Sequence, residues 1–132
     1  MFTQCESIMA RTILPIQDTP AVKYPIYASI TVPNPLFGVY AGVYKSKIEK
    51  EKTTTYFYEQ TVPVPSYLIA LAAGEIEERI ISDRVKVYAE KVVVDKAAVE
   101  FSETESFIQS AEAYLFPYEW KEYNLLILPS SF

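Results

Sequence analysis

The sequence predicts an α+β fold that is mostly β, with antiparallel strands over residues 1–83 and a β-α-β arrangement over residues 84–132. Aromatic residues make up 14% of the chain, with eleven Tyr and seven Phe, and such side chains favour pleated sheets. Nine Pro and only three Gly indicate stiff edges and turns. Near Asp83 the hydrophobic pattern changes from the two-residue period of strands to the period of a helix.

Five strands are predicted in the first part. They are Phe2–Met9, Ile26–Val32, Leu36–Tyr44, Thr54–Val62 and Tyr67–Ser82. Arg11–Pro20 contains two prolines and an Asp-Thr-Pro turn, so it is predicted to be irregular. Lys45–Thr53 is the most polar segment and is interpreted as a solvated hairpin tip. Gly38 and Gly42 are typical of a bulge or of a close backbone approach.

A strand, a helix and a final strand are predicted in the second part. Val85–Tyr88 is the short strand, and Asp95 is interpreted as the N-cap of a helix that ends at Pro117. One apolar stripe, spaced by three and four residues, is predicted to be buried; it consists of Ala97, Phe101, Thr104, Ile108, Ala111 and Leu115. The final strand, Tyr123–Leu128, needs partners on both sides, so we expect the chain to be a piece of a longer protein.

Charge and composition exclude several classes of partner. The net charge is −5 and the isoelectric point is near 4.8, whereas a nucleic-acid binder needs a basic face. We therefore expect no nucleic acid and no anionic membrane surface as partners. The most apolar stretch, Tyr67–Ala73, is too short to span a bilayer. With one cysteine and no signal-peptide pattern, a cytoplasmic protein is expected.

The chain contains no histidine. This excludes a Ser-His-Asp or Cys-His catalytic site within the chain, and it excludes a zinc site built on histidine. A single cysteine cannot build a cysteine cage for zinc. The sequence therefore predicts that this chain supplies neither a His base nor a His metal ligand.

Motifs in order along the whole chain point to a family. They are Phe2-Thr3-Gln4-Cys5-Glu6-Ser7, Arg11-Thr12-Ile13-Leu14-Pro15, Gln17-Asp18-Thr19-Pro20, Val62-Pro63-Val64-Pro65 with Tyr67-Leu68-Ile69-Ala70-Leu71, Phe101-Ser102-Glu103-Thr104-Glu105-Ser106, Pro117-Tyr118 and Leu126-Ile127-Leu128-Pro129, up to Ser131-Phe132. Together they resemble the gluzincin zinc aminopeptidases of the leukotriene-A(4) hydrolase branch, and most weakly over Tyr24–Thr55. The resemblance implies the end of a curved N-terminal β domain over residues 1–83 and the start of a thermolysin-like catalytic domain over residues 84–132.

The resemblance also implies where the chemistry lies. Family members carry a Gly-x-Met-Glu-Asn strand and a His-Glu-x-x-His helix that holds zinc, and this sequence contains neither motif. We therefore expect zinc in the parent enzyme, none bound by this chain, and no peptidase activity from the chain alone. Catalysis would come from the remainder of the parent polypeptide.

Gln4 and Glu6 are the candidate substrate-binding residues. Two residues apart on a predicted strand, they would project from one face. Spacing alone is also typical of two polar side chains on a solvated strand face. The resemblance implies that the acidic member holds the α-ammonium of the peptide substrate N-terminus, which a charge-assisted hydrogen bond would favour. The resemblance also implies a difference, because leukotriene-A(4) hydrolases have a Gln at the position of Glu6. This difference puts an epoxide hydrolase activity of the parent enzyme in doubt.

Other residues are interpreted structurally. Cys5 is predicted to be a small core residue, and Arg11 and Asp18 could pair and brace the irregular segment. Glu103 and Glu105 lie two apart on a helix and do not share a face, so they are not predicted to form an acid/base pair.

A second function of a different class remains open. The chain could be a non-catalytic, β-rich binding or interaction module from a truncated paralogue. Such a module should fold alone as a monomer and unfold cooperatively, whereas a fragment should expose its apolar last strand and self-associate. Gel filtration with a thermal melt distinguishes the two.

Overall fold

The computed structural model describes residues 1–130, which belong to two compact units, Met1–Gly74 and Glu75–Phe132. Ser131-Phe132, which end the resemblance, lie outside the described residues. The first unit contains the strands β1 (Lys23–Pro33), β2 (Phe37–Tyr40), β3 (Val43–Glu49), β4 (Thr53–Pro65) and β5 (Leu71–Gly74). Two short 3-10 helices, Ala10–Thr12 and Ser66–Leu68, lie in its connections. The predicted class, mostly β with antiparallel strands and a final β-α-β arrangement, is confirmed.

Strand β4 lies between β1 and β3 in an antiparallel three-stranded sheet. Its residues alternate between partly exposed and buried from Thr53 to Gln60, because successive side chains of a strand point to opposite faces and one face is covered. Tyr58 stands opposite Ala28 of β1 and Tyr44 of β3. Strands β2 and β5 form a second antiparallel pair.

Tyrosines of β4 and small residues near the start of the chain build the core of the first unit. Its buried members are Cys5, Ala10, Val32, Tyr40, Tyr56, Tyr58 and Ile69. The Tyr58 hydroxyl donates to the carbonyl of Gly38 at 2.7 Å, which gives its polar atom a partner inside the core. A Cβ atom at Gly38 would lie 2.9 Å from Cγ2 of Ile30, which is a side-chain atom. A Cβ atom at Gly42 would lie 3.1 Å from the backbone oxygen of Glu59, so the predicted close backbone approach is confirmed at Gly42.

The polar segment Lys45–Thr53 is a hairpin tip only in part. Residues through Glu49 belong to β3 and pair with β4, and the turn occupies residues 50–52. Charged side chains are tolerated there because β3 is an edge strand with solvent on its outer side. The predicted strand Leu36–Tyr44 is likewise divided between β2 and β3, because the chain bends at Ala41 and Gly42.

The prediction of a strand over Phe2–Met9 is wrong. Only Phe2 forms a bridge, to Ala72 of β5, and the chain then turns. The N–H of Met9 donates to the carbonyl of Cys5 at 2.9 Å, which closes a five-residue turn that an extended strand cannot form. Short strands and turns that lie on a core share a loose alternation of residue types, so this pattern does not distinguish a strand from a turn.

The second unit has the strands β6 (Ile76–Ile80), β7 (Val85–Glu90) and β8 (Tyr123–Leu126), with helices α1 (Lys91–Glu100) and α2 (Thr104–Tyr114) between β7 and β8. Strand β7 is central, antiparallel to β6 and parallel to β8. Three valines, Val85, Val87 and Val94, have no exposed surface, and burial of each contributes about 1.5–3 kcal/mol. Neither helix in the described part of the chain has the length and apolar character needed to cross a membrane.

The long strand predicted over Tyr67–Ser82 is wrong in its extent. A 3-10 helix occupies its beginning, and β5 and β6 are separate strands that pair in different units. The two compact units therefore meet in sequence between Gly74 and Glu75. The domain boundary placed between residues 83 and 84 refers to the domains of a longer protein and stays a prediction.

The single helix with Asp95 as its N-cap is also wrong. Helix α1 already begins at Lys91, directly after β7, and Asp95 instead pairs with Arg79 of β6 at 2.7 Å. The helical run then breaks before α2. There the Thr104 hydroxyl donates to the carbonyl of Phe101 at 2.7 Å, and such local bonds compete with a continuous helix.

Only part of the predicted apolar stripe is buried. Ala97 and Ile108 are buried, but Leu115 is 71% exposed. Helix α2 ends at Tyr114, before Pro117 is reached. Leu115 instead lines an open apolar groove of about 500 Å³ beside α2.

One arginine connects the β6–β7 turn to α2. Arg84 donates to Glu105 at 3.0 Å and to Glu112 at 2.7 Å, and the three side chains are 24%, 23% and 26% exposed. The bonds from Arg84 lower the pKa of Glu112 to about 2, together with a bond from the backbone N–H of Tyr118. We call these three side chains the Arg84 cluster.

Candidate substrate-binding site

Gln4 and Glu6 lie on either side of Cys5, with Gln4 just before the first turn of the chain and Glu6 at the start of that turn. Both are exposed, whereas Cys5 is 1% exposed. The backbone N–H of Glu6 donates to Oε1 of Gln4 at 2.8 Å, and the Glu6-Ser7 peptide bond is cis. The structure therefore brings the two predicted residues together, through a side-chain-to-backbone hydrogen bond and not through strand alternation.

The chain leading into this turn is fixed to β5. The N–H of Thr3 donates to the carbonyl of Leu71 at 3.0 Å, and the N–H of Leu71 donates to the Thr3 hydroxyl at 3.0 Å. Cys5 follows and packs in the core, as predicted. Burial, with the Asp18 charge as the second cause, raises the pKa of the Cys5 thiol, so the thiol is protonated at neutral pH and unreactive.

Backbone hydrogen bonds close the turn on its other side. The N–H of Met9 bonds to Cys5, and the N–H of Leu14 donates to the carbonyl of Ala10 at 3.0 Å. Ala10 has no exposed surface, while residues 6–9 are all exposed. Glu6–Met9, which we call the Glu6–Met9 turn, is thus an exposed turn between two small buried residues.

Asp18 connects the segment after the turn to the end of β4. Its side chain is 1% exposed. Oδ2 accepts from the backbone N–H of Arg11 at 3.1 Å and from Nε of Arg11 at 3.3 Å, so the pairing of Arg11 with Asp18 is confirmed. Oδ1 accepts from the Ser66 hydroxyl at 2.5 Å. The bond from Ser66 above all, and those from Arg11, hold the pKa of Asp18 below its usual range although burial opposes them.

The Glu6 carboxylate is open to solvent. Among residues 1–130 it has no ion-pair partner, and Glu6 is exposed as a whole. Nine other carboxylates of the described residues do form ion pairs, as Glu59 does with Lys45 at 2.7 Å. Glu6 is therefore an anionic group on an ordered turn that can accept hydrogen bonds from a cation.

Other carboxylates do not form a second site. Glu105 accepts from Arg84 and from the Ser82 hydroxyl at 2.7 Å, so its role is structural. Within the described residues, no group of three or more His, Cys, Asp or Glu side chains could hold a metal ion. With no histidine and one buried cysteine, the donors of this chain do not fit a zinc site.

Ser66 is the residue of this region that the sequence analysis missed. It lies 48 residues from Asp18 in sequence and is 1% exposed. A serine directly after a Pro-Val-Pro run is typical of a local turn, and no spacing rule relates it to Asp18. Only the tertiary structure brings the two side chains together.

Comparison with protein families gives a match over the first half of the chain. Residues 1–68 match the family described as the peptidase M1 N-terminal domain. These residues include the Glu6–Met9 turn, Asp18 and Ser66, so the whole site lies within the matched part.

Individual relatives match the whole chain. Leucine aminopeptidase 2 of Ajellomyces capsulatus is 44% identical, and leukotriene A-4 hydrolase of Xenopus laevis is 38% identical; each alignment covers 100% of this chain and 22% of the relative. Native leukotriene A(4) hydrolase from Saccharomyces cerevisiae superposes with a TM-score of 0.86 at 39% identity, covering 99% of this chain and 20% of that one. The chain thus spans about a fifth of the length of the relatives it matches.

Proposed function

Because this chain belongs to the peptidase M1 family, we propose that it is part of a longer zinc aminopeptidase and supplies the recognition of the substrate's α-ammonium group. The peptide N-terminus is the partner of this chain, and residues beyond it carry the zinc and the reaction. The names of the relatives support the activity, since they include a leucine aminopeptidase and a leukotriene A-4 hydrolase.

The observation that carries this proposal is the state of the Glu6 carboxylate. It is exposed and has no ion-pair partner among the described residues, yet it stands on a turn closed by hydrogen bonds on both sides. An ammonium group brings three donors, and a charge-assisted bond to a carboxylate is about twice as strong as a neutral one. A fixed anion of this kind selects the free end of a peptide over internal peptide bonds.

Gln4 has a supporting role in the same proposal. Its Oε1 already accepts the N–H of Glu6 at 2.8 Å, so the amide of Gln4 fixes the backbone that carries the carboxylate. Its Nε2 group remains a donor for a peptide carbonyl oxygen. Glu6 would therefore bind the amine, and Gln4 would orient both Glu6 and the first carbonyl of the substrate.

The proposal favours peptide hydrolysis over epoxide hydrolysis. A carboxylate at position 6 binds a cation, whereas a neutral amide would suit an uncharged or anionic substrate equally well. We also propose that the domain boundary of the longer enzyme lies near residue 83 and that the enzyme is cytoplasmic, which the single unpaired cysteine supports.

The test is Glu6→Gln in the longer enzyme, with Glu51→Gln as the matched control. Glu51 is an exposed glutamate on the β3–β4 turn, so the control removes the same charge from the same unit. Loss of a charge-assisted hydrogen bond of about 1.5–3 kcal/mol predicts that kcat/KM for a dipeptide-like substrate falls about tenfold to a hundredfold in Glu6→Gln. Glu51→Gln should match the unsubstituted enzyme. Unchanged kcat/KM in Glu6→Gln would overturn the assignment.

A further inference from the structure

We infer that Asp18 is a positioning residue for amine recognition, and that with Arg11 and Ser66 it forms a clamp that holds the Glu6–Met9 turn in place. The inference rests on the proposed function of Glu6, because the clamp contains no group that would contact the substrate. It assigns a functional task to a buried carboxylate more than ten residues from Glu6 in sequence.

Both ends of the turn are attached to the same short segment of the fold. On the entry side, Thr3 exchanges two hydrogen bonds with Leu71. On the exit side, Arg11 bonds to Asp18, which bonds to Ser66. Residues 66–71 therefore form a common base, to which the chain is attached on both sides of the turn. A shift of either attachment changes the distance between the two ends of the turn.

The clamp uses both carboxylate oxygens of Asp18. Oδ1 takes the Ser66 hydroxyl, Oδ2 takes two donors of Arg11, and Nη2 of Arg11 also donates to the backbone carbonyl of Asp18 at 3.1 Å. The Asp18 carboxylate therefore binds both the backbone N–H and the side chain of Arg11. A residue that only neutralised the arginine would not need the backbone contact.

Burial makes the attachment stiff. The side chains of Asp18 and Ser66 are almost fully buried, as are Cys5 and Ala10 at the two ends of the turn. Water cannot easily replace a missing donor at such a position, because a buried polar group has few alternative partners. Loss of the Ser66 hydroxyl must therefore be met by movement of Asp18 and of the Arg11 backbone bonded to it.

The expected consequence is a misplaced Glu6 and not an unfolded protein. The stretch from Glu6 to Arg11 is a run of tight turns, so displacement at Arg11 is carried to the carboxylate. Geometry errors of about 1 Å are known to cost up to about a hundredfold in rate. Because Glu6 acts on the substrate amine, weaker substrate binding should dominate over slower chemistry.

The first arm of the test uses the longer enzyme and residue-resolved hydrogen exchange. Ser66→Ala is compared with Thr54→Val, which removes another hydroxyl bond of the first unit, the partly buried 2.7 Å bond from Thr54 to Asn34. Protection of the Met9 and Leu14 amides should fall about tenfold or more in Ser66→Ala and stay unchanged in Thr54→Val. Equal losses in both variants, or none, would overturn the clamp. If Ser66→Ala does not fold, Asp18→Asn replaces it.

The second arm measures KM and kcat in the longer enzyme, again with Thr54→Val as the control. Ser66→Ala should raise KM roughly threefold to tenfold and leave kcat within about twofold. In a Glu6→Gln background, Ser66→Ala should add no further rise in KM, because both changes act through the same carboxylate.

The two hypotheses can fail separately. If Glu6→Gln raises KM but Ser66→Ala does not, the clamp inference is wrong and the role of Glu6 stands. If Glu6→Gln leaves KM unchanged, the role of Glu6 is wrong, and the clamp falls as a device for amine recognition whatever Ser66→Ala does. Additive effects of the two substitutions would also contradict the clamp.

Discussion

The clamp around Asp18 pairs one arginine with one carboxylate, the Arg84 cluster pairs one arginine with two, and they differ in the burial of the acids and in what they hold. The Asp18 side chain is 1% exposed, although Arg11 is 56% exposed, and it holds an exposed turn against the base formed by residues 66–71. Members of the Arg84 cluster are about a quarter exposed, and they connect a β-turn to helix α2. The first fixes a loop that carries a candidate functional group; the second joins two elements of secondary structure.

Burial decides which charge pair is a candidate for a functional role. Partly exposed pairs exchange readily with water and are screened by salt, so their usual role is modest stabilisation. A fully buried carboxylate is retained only when several donors satisfy it. Asp18 is such a carboxylate, bonded to Arg11 just after an exposed turn whose Glu6 has no ion-pair partner in residues 1–130, and this supports the proposal that the geometry of the turn matters.

The largest expected effect concerns the hydroxyl that completes the buried clamp. Ser66→Ala removes a hydrogen bond to an ionised group and should lower the free energy of unfolding by about 1.5–3 kcal/mol. Thr54→Val removes a neutral bond and should lower it by about 0.5–1.5 kcal/mol. Urea unfolding of both variants measures the difference. A loss in Ser66→Ala equal to or smaller than that in Thr54→Val would contradict the stronger hydrogen bond assigned to the Asp18 clamp.

The next effect is acid sensitivity. The pKa values of Asp18, Glu105 and Glu112 are all lowered in the folded chain, so each group binds protons more weakly when folded. Their stabilisation is therefore complete above the unfolded pKa of about 4 and is lost as the pH falls, for Glu112 down to about pH 2. We expect the urea midpoint to fall steadily below about pH 4, and Glu112→Gln to make that fall shallower. An unaltered pH profile in Glu112→Gln would contradict this.

The smallest effect is the response of Tm to salt, which should differ between the Arg84 cluster and the Asp18 clamp. In about 1 M NaCl the Debye length is about 3 Å, so the difference in Tm between the unsubstituted chain and Glu112→Gln should shrink. The corresponding difference for Ser66→Ala should persist, because the Asp18 carboxylate is shielded from solvent. Thermal melts at low and high salt check this, and equal shrinkage in both variants would contradict the contrast in burial.

Much of the fold could be predicted from local patterns. The high aromatic content and the change of pattern near Asp83 indicated the antiparallel part and the β-α-β part. The start of α1 was missed because Val92 and Val93 are β-branched and favour strands, whereas β7 continues directly into the helix.

The candidate site was predictable only in its exposed half. Glu6 and Gln4 could be identified from a motif, and the pairing of Arg11 with Asp18 from their closeness in sequence. Ser66 could not, because hydrogen bonds between segments 48 residues apart depend on how β4 crosses the unit. The turn itself was mistaken for a strand, since residue alternation does not report the backbone angles.

Ligand discrimination in the longer enzyme tests most directly whether Glu6 binds the α-ammonium group of the substrate. Inhibition constants are measured for leucine amide and for its analogue that lacks the α-amine, in the unsubstituted enzyme, in Glu6→Gln and in Glu51→Gln. We predict that the unsubstituted enzyme and Glu51→Gln prefer the amine-bearing ligand by about tenfold or more, and that Glu6→Gln loses most of that preference. An undiminished preference in Glu6→Gln would show that another group binds the amine and would contradict the role proposed for Glu6.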